Sequence, residues 1–171
     1  LLLFSAFLLG IIFFNSVFQD GKGELPYDQW LMVPLHIFLI SLPIICGIAL
    51  YSFWLRVDQY GYTQERFLGL IALSLAMMYG LGYAVSAGKE LLGKNENWLE
   101  DVTKVNTLMA LILVSILTLI HSPILDPLRI AASNQYQRLI DGKISPNQFD
   151  VGYLYYELGT EGHKILTTIE E

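Results

Sequence analysis

The four arginines of the chain, Arg56, Arg66, Arg129 and Arg138, are the residues best suited to binding chemistry. A guanidinium group pairs with a phosphate or carboxylate through two parallel hydrogen bonds, so arginines that meet at one membrane face form a pocket for a lipid phosphate or another anion. The favoured alternative is that they anchor helix ends and pair helices. If a site forms, we expect Arg138 to meet Arg56 or Arg66, because Arg129 and Arg138 are about 13 Å apart along one helix.

The three histidines do not have the spacing of a metal site. His36, His121 and His163 lie in separate segments, without an H-x-x-x-H or H-E-x-x-H pattern, so we expect no metal. His36 stands out because it falls in an apolar segment between two prolines, where an ionisable group is costly and often functional. The alternative is that its imidazole bonds a backbone carbonyl that the prolines leave unpaired.

No other motif supports catalysis. The sequence holds no G-x-S-x-G motif, no P-loop and no paired carboxylates within an apolar run. We therefore expect no enzyme activity and no cofactor. The net charge of −6, without clustered lysines and arginines, argues against a nucleic-acid partner.

Four apolar runs without a charged residue must position these side chains. They cover about 1–18, 31–54, 67–87 and 105–120, and they are 16 to 24 residues long. A helix needs about 20 apolar residues to cross the hydrocarbon core of a bilayer. The runs predict an all-α integral membrane bundle of four transmembrane helices at about 1–18, 31–54, 67–87 and 105–121, with the lipid bilayer as its principal partner.

Two features predict how these helices pack. The third run places the small residues Ala72, Ala76, Gly80 and Ala84 at steps of four, so another helix backbone can approach closely along this stripe. Asn15 lies in the first run, where a hydrogen bond to another helix accounts for a polar side chain.

The segments between the runs carry the charge. We expect 88–104 to be either a short helix at the membrane surface or a solvated loop. Asp126 and Gly142 have the types that begin and end a helix, which predicts an amphipathic helix over 127–140. The polar segment that follows is predicted to be a short helical tail, divided at Gly159. The chain thus divides into a transmembrane bundle, 1–122, and a surface helix with its tail, 123–171.

The distribution of basic residues predicts the orientation. The loop after the second run and the tail hold six of them, and the other side holds four: Arg56, Arg66, Arg129, Arg138, Lys143 and Lys164 against Lys22, Lys89, Lys94 and Lys104. Because basic residues favour the cytoplasmic side, we expect the tail to be cytoplasmic.

The loop after the second run also carries a motif. An Arg is followed by Tyr-Gly-x-Thr-x-x-Arg, at Arg56, Tyr60, Gly61, Thr63 and Arg66. Gly61 is predicted to supply a positive φ, and Thr63 to cap the next helix. Two later groups extend the pattern: Ser122-Pro123 with Ser133, Gln135, Arg138 and Leu139, and Phe149-Asp150, Tyr153-Leu154, Leu158-Gly159 and Gly162.

From about Arg56 to the C-terminus, these residues resemble the bacterial membrane family called domain of unknown function 4153. One departure is Ser122, where that family's Gly is expected. The resemblance implies a multi-pass protein of the bacterial inner membrane, and it implies no established activity.

Two classes of function fit this sequence. The favoured one is a non-enzymatic module that scaffolds, senses or regulates through its tail, because charged pathway residues are missing from the runs. The alternative is a transporter or lipid-handling segment with its site near the kinked second run. We expect the chain to be part of a longer protein, and to pack against upstream transmembrane helices of that protein or against a partner membrane protein.

Overall fold

The computed structural model describes residues 2–18, 29–93 and 98–170, and its regular elements there are helices. In chain order they are α1 (Leu2–Phe18), α2 (Gln29–Tyr60), α3 (Gln64–Leu91), α4 (Trp98–Ile120), α5 (Pro127–Ile140), α6 (Val151–Tyr156) and α7 (Gly159–Glu170), with a 3₁₀ turn at Pro146–Gln148 between α5 and α6.

Three of these helices are long and apolar enough to cross a membrane. They cover Trp30–Tyr60, Gln64–Leu91 and Leu99–Ile120, which correspond to the second, third and fourth predicted spans. In α1, the apolar stretch Leu8–Phe18 is shorter. The described residues therefore confirm an all-helical chain with three apolar helices of membrane-spanning length.

The helices extend further into the charged segments than the sequence predicted. Neither a separate surface helix nor a solvated loop fills 88–104, because α3 continues to Leu91 and α4 already begins at Trp98. That prediction is wrong for the described part of the segment. Charged side chains at the end of an apolar helix reach the headgroup level without a break in the helix.

The first compact unit comprises residues 1–52 and 72–114. Its core contains Phe14, Met32, Leu39, Leu42, Cys46, Ala76, Tyr83, Ala87 and Val102. Within the predicted stripe, Ala76 and Gly80 are buried while Ala72 and Ala84 are partly exposed. A Cβ atom at Gly80 would lie 3.2 Å from the backbone nitrogen of Pro43, so Gly80 is where α3 approaches the backbone of α2.

The second compact unit comprises residues 53–71 and 115–171. Asp126 Oδ1 accepts from the backbone N–H of Leu128 at 2.9 Å and so caps α5 as predicted. The core of this unit joins α5 to the tail through Ala131, Ala132, Leu154 and Leu158. The boundaries of these two compact units differ from the predicted division at residue 122. That division separates a membrane part from a cytoplasmic part, and it stays a prediction.

A close approach fixes the two helices of the tail. A Cβ atom at Gly162 would clash with the carbonyl oxygen of Leu154, so only glycine lets α7 pack this tightly on α6. Gly159, at the start of α7, has a φ of +53°. The tail is therefore helical and turns at the predicted residue.

Candidate functional site

The turn between α2 and α3 gathers most of the motif residues. Gly61 has a φ of +76°, which glycine adopts without strain, and its N–H donates to the carbonyl of Val57 at 2.8 Å. Thr63 Oγ1 accepts from the N–H of Arg66 at 3.3 Å, which caps α3. Both local predictions are confirmed.

Two arginines from different helices bind the carbonyl groups at the end of α2. Arg138, on α5, donates from Nη1 to the Asp58 carbonyl at 3.0 Å and from Nη2 to the Gln59 carbonyl at 2.6 Å. Arg66, on α3, donates from Nη1 to the carbonyls of Tyr60 and Gly61 at 3.3 and 3.0 Å. The last carbonyls of a helix have no partner within it and carry partial negative charge, so two guanidinium groups stabilise this end of α2.

Three further side chains bind the backbone of the same turn. Gln135 Nε2 donates to the Tyr62 carbonyl at 2.8 Å, and Asn134 Oδ1 accepts from the Tyr62 N–H at 2.8 Å. The hydroxyl of Tyr153, on α6, accepts from the N–H of Gln64 at 3.0 Å. The turn of α2 and α3 is thus held by side chains of α5 and the tail.

The structure brings two of the four arginines together, and the anion site that was predicted for them stays a prediction. Arg66 and Arg138 meet at one turn, as expected for two of the four. Arg129 donates to the Ile124 carbonyl at 3.4 Å, close to it in the chain, and Arg56 is exposed. Because Arg66 and Arg138 donate to backbone carbonyls, this geometry favours helix anchoring over anion binding for these two residues.

A buried histidine and a carboxylate form a pair in the first unit. His36, on α2, is 4% exposed, and its Nε2 lies 2.5 Å from Oε2 of Glu90, in the last turn of α3. The sequence did not predict this partner, because Glu90 lies in the segment 88–104, which was expected to be a surface helix or a loop outside the third run. The structure gives the imidazole a titratable partner at the end of an apolar helix.

A ring of three hydrogen bonds joins α1, α3 and α4. Asn15 Nδ2 donates to the hydroxyl of Tyr83 at 2.9 Å, and that hydroxyl donates to Asn106 Oδ1 at 2.5 Å. Asn106 Nδ2 donates to Asn15 Oδ1 at 2.8 Å, which closes the ring. Asn15 therefore bridges helices as predicted, and Tyr83 and Asn106 are its partners.

Across residues 2–18, 29–93 and 98–170, no three His, Cys, Asp or Glu side chains come close enough to hold a metal ion.

Comparison with protein families finds a match over nearly the whole chain. The family model described as domain of unknown function (DUF4153) matches residues 1–169. The chain belongs to this family. No curated protein and no solved structure matches it. The match to DUF4153 also covers the first two apolar runs, which lie before the segment that carried the resemblance.

The residues by which this DUF4153 member resembles its family have structural roles in the second unit. Gly61 and Thr63 shape the turn, and Arg66, Gln135 and Arg138 bind its carbonyls. In the tail, Asp150 Oδ1 accepts from the N–H of Tyr153 at 2.8 Å and caps α6. The role of Asn134 in this turn was not predicted. Its position next to Gln135 is the only feature of the sequence that pointed to it.

Proposed function

We propose that the chain is a non-enzymatic membrane module that holds its C-terminal helices against the turn between α2 and α3, and that it scaffolds or regulates through them. One observation carries the proposal: side chains of α5 and α6 bind the backbone from Asp58 to Gln64 on both its carbonyl and its N–H groups. A movement of this turn is therefore transmitted to the tail.

The side-chain chemistry of the turn supports a structural role. Asn134, Gln135, Arg138 and Tyr153 all direct polar atoms at backbone groups of the turn. Polar groups used in this way satisfy helix ends, which is the usual work of caps and not of catalytic groups. The two arginines supply positive charge where the dipole of α2 is negative.

The test compares Arg138→Gln with Arg129→Gln on the same helix. In the full protein in native membranes, Arg138→Gln is expected to expose the segment after Ile140 to protease, whereas Arg129→Gln leaves it protected. Arg138→Gln should also reproduce the cellular phenotype of a deletion of residues 141–171. Full complementation by the tail-deleted protein would exclude function through the tail.

We further propose that α1 is a fourth span, that the membrane is the bacterial inner membrane, and that α5 lies amphipathically at its cytoplasmic surface with the tail. The uncharged run 1–18 and the six-to-four distribution of basic residues support this topology. Val33, Ile37 and Ile44 form an exposed apolar face of α2, suited to lipid, to upstream helices or to a partner membrane protein.

The topology is tested by labelling Lys164→Cys with an impermeant maleimide, in a Cys46→Ser background. Cys46 is buried, and its replacement by serine removes the thiol that would otherwise compete for the maleimide. We expect labelling only after permeabilisation of the inner membrane. Labelling in intact spheroplasts would show that the tail lies outside the cytoplasm and would contradict the proposed orientation.

A second candidate function, transport or lipid handling, is favoured by the pair of His36 and Glu90. His36 lies in the uncharged apolar run of α2 and Glu90 in the charged last turn of α3, and an ionisable pair that reaches into an apolar segment is the kind of group that carries protons. The test measures proton uptake into proteoliposomes that contain a pH dye. Proton transport is supported if Glu90→Gln abolishes the uptake and Glu100→Gln does not. Equal dye responses in protein-free liposomes would exclude it.

A further inference from the structure

A groove of about 380 Å³ lies between α3 and α4 in the first unit, apart from the turn and from the buried pair. Its floor is formed where the helices touch, because a Cβ atom at Gly82 would lie 2.6 Å from Cγ1 of Val105. Leu81 and Val85 line its open side and are exposed. An exposed apolar channel of this kind on a membrane helix is suited to an acyl chain.

The mouth of the groove is charged. Nζ of Lys89 lies 3.0 Å from Oδ2 of Asp101, and Nζ of Lys104 lies 3.2 Å from Oδ1 of the same carboxylate. Two ammonium groups share one carboxylate, so these three groups together have a net charge of +1. The two lysine side chains are 49% and 73% exposed, and both can therefore reach a ligand outside.

The charges stand at the edge of the uncharged helical segments. On α3 the uncharged stretch 67–88 ends at Lys89, and on α4 the uncharged stretch 105–120 follows Lys104. Because charged groups move to the level of the lipid headgroups, both ammonium groups lie where phosphates lie. The apolar part of the groove then faces the acyl region.

We propose that this groove binds one anionic glycerophospholipid, with an acyl chain along Leu81 and Val85 and the phosphate between Lys89 and Lys104. Because both ammonium groups are exposed to solvent, their ion pairs with the partly exposed Asp101 contribute little stability, and the lysines exchange Asp101 for a phosphate. The combination of two cations at headgroup level and an apolar channel beneath them selects a lipid over a soluble anion. This site is independent of the proposed function.

The test uses the full chain in nanodiscs of dioleoylphosphatidylcholine with dioleoylphosphatidylglycerol added, and counts retained lipids by native mass spectrometry. The double variant Lys89→Gln with Lys104→Gln is expected to lose roughly tenfold in preference for phosphatidylglycerol, from the attraction of two ammonium groups. The matched control is Lys164→Gln, since Lys164 pairs with Glu161 three residues away as Lys104 does with Asp101. The control should keep the preference.

Two further variants keep the test decisive if the double variant does not fold. Asp101→Asn removes the competing carboxylate and should raise retention of phosphatidylglycerol, which a purely structural role of Asp101 does not predict. Val85→Trp fills the channel and should lower retention. Unchanged retention in both variants would overturn the proposal.

Other occupants give distinct results. Competition by glycerol 1-phosphate as effective as that by the whole lipid would show a phosphate patch without a chain site. Val85→Cys crosslinking between two copies, independent of added lipid, would show that protein covers the groove. Either result excludes the lipid site.

Discussion

Two sets of polar side chains, one in each unit, bind different kinds of partner. In the first unit, His36 pairs with Glu90, and Asn15 with Tyr83 and Asn106, so polar side chains bind each other. In the second, Arg66 and Arg138 bind backbone groups at a turn. The backbone of an uninterrupted helix satisfies itself, whereas the end of a helix leaves carbonyls unpaired.

This difference indicates what each set of polar side chains stabilises. The polar groups of the second unit are required by its backbone, so their removal leaves orphaned carbonyls and N–H groups. The ring of Asn15, Tyr83 and Asn106 in the first unit is formed by bonds between side chains, so replacing the whole set by apolar residues takes no bond of this ring from a backbone group. The polar residues of the turn therefore support its backbone, whereas the pair of His36 and Glu90 and the ring of Asn15, Tyr83 and Asn106 join one helix to another.

The largest expected effect is that of Gly61→Ala. Its Cβ atom would lie 2.6 Å from Cδ of Arg138 and 2.8 Å from Oδ1 of Asn134, at a φ of +76°. Strain and the loss of both contacts should lower the free energy of unfolding in detergent by about 4 kcal/mol. The control is Gly142→Ala, which has a positive φ but open space, and should lose only about 1 kcal/mol. Equal losses would mean that the contacts with α5 contribute nothing.

The next effect is that of Arg138→Leu. Two carbonyls at the end of α2 lose charged donors, and we expect a loss of about 3 kcal/mol in unfolding free energy, measured by SDS titration. Arg129→Leu, which removes a single long bond to Ile124, should stay within about 0.5 kcal/mol of the wild type. A similar result for the two variants would contradict the role of Arg138 as a cap.

Replacement of His36 by Gln should cost about 2 kcal/mol, because Gln is a weaker hydrogen-bond partner for the Glu90 side chain than His36. The double variant His36→Leu with Glu90→Leu should recover most of this loss, since it leaves neither polar member of the pair without the other. Thermal unfolding of the single and double variants measures the recovery. A double variant less stable than both single ones would remove the distinction between the units.

The smallest effect is expected in the hydrogen-bonded ring. Asn106→Leu removes two of its three bonds, and side-chain bonds between membrane helices average about 0.6 kcal/mol, so we expect a loss of about 1 kcal/mol. The control is Thr107→Val. Thr107 follows Asn106, is exposed, and its hydroxyl donates to the Thr103 carbonyl of the same helix. A loss above that of His36→Gln would show that the ring carries the stability of the first unit.

The sequence predicts local features of this molecule better than distant ones. Uncharged length identifies α2, α3 and α4 as apolar helices of spanning length, and residue type predicts the roles of Gly61, Thr63 and Asp126 within their own segments. These features follow from backbone chemistry within one turn of the chain.

Contacts between distant segments were harder to predict. Asn134 reaches Tyr62 across 72 positions, and His36 reaches Glu90 across 54. Glu90 was missed because charge was taken to end the helix, although α3 continues through it to Leu91. Which polar residue meets which is decided by the packing of helices, and no spacing in the sequence records that packing.

The ring of Asn15, Tyr83 and Asn106 also sets the register of three helices. Each of its members both donates and accepts within the ring, so a shift of one helix by a single residue, about 1.5 Å of rise with about 100° of rotation, breaks it. Apolar contacts alone permit such slips, since one aliphatic side chain replaces another at small loss. Asn15 thereby gives α1 a unique alignment against α3 and α4, as a single buried asparagine does in a coiled coil.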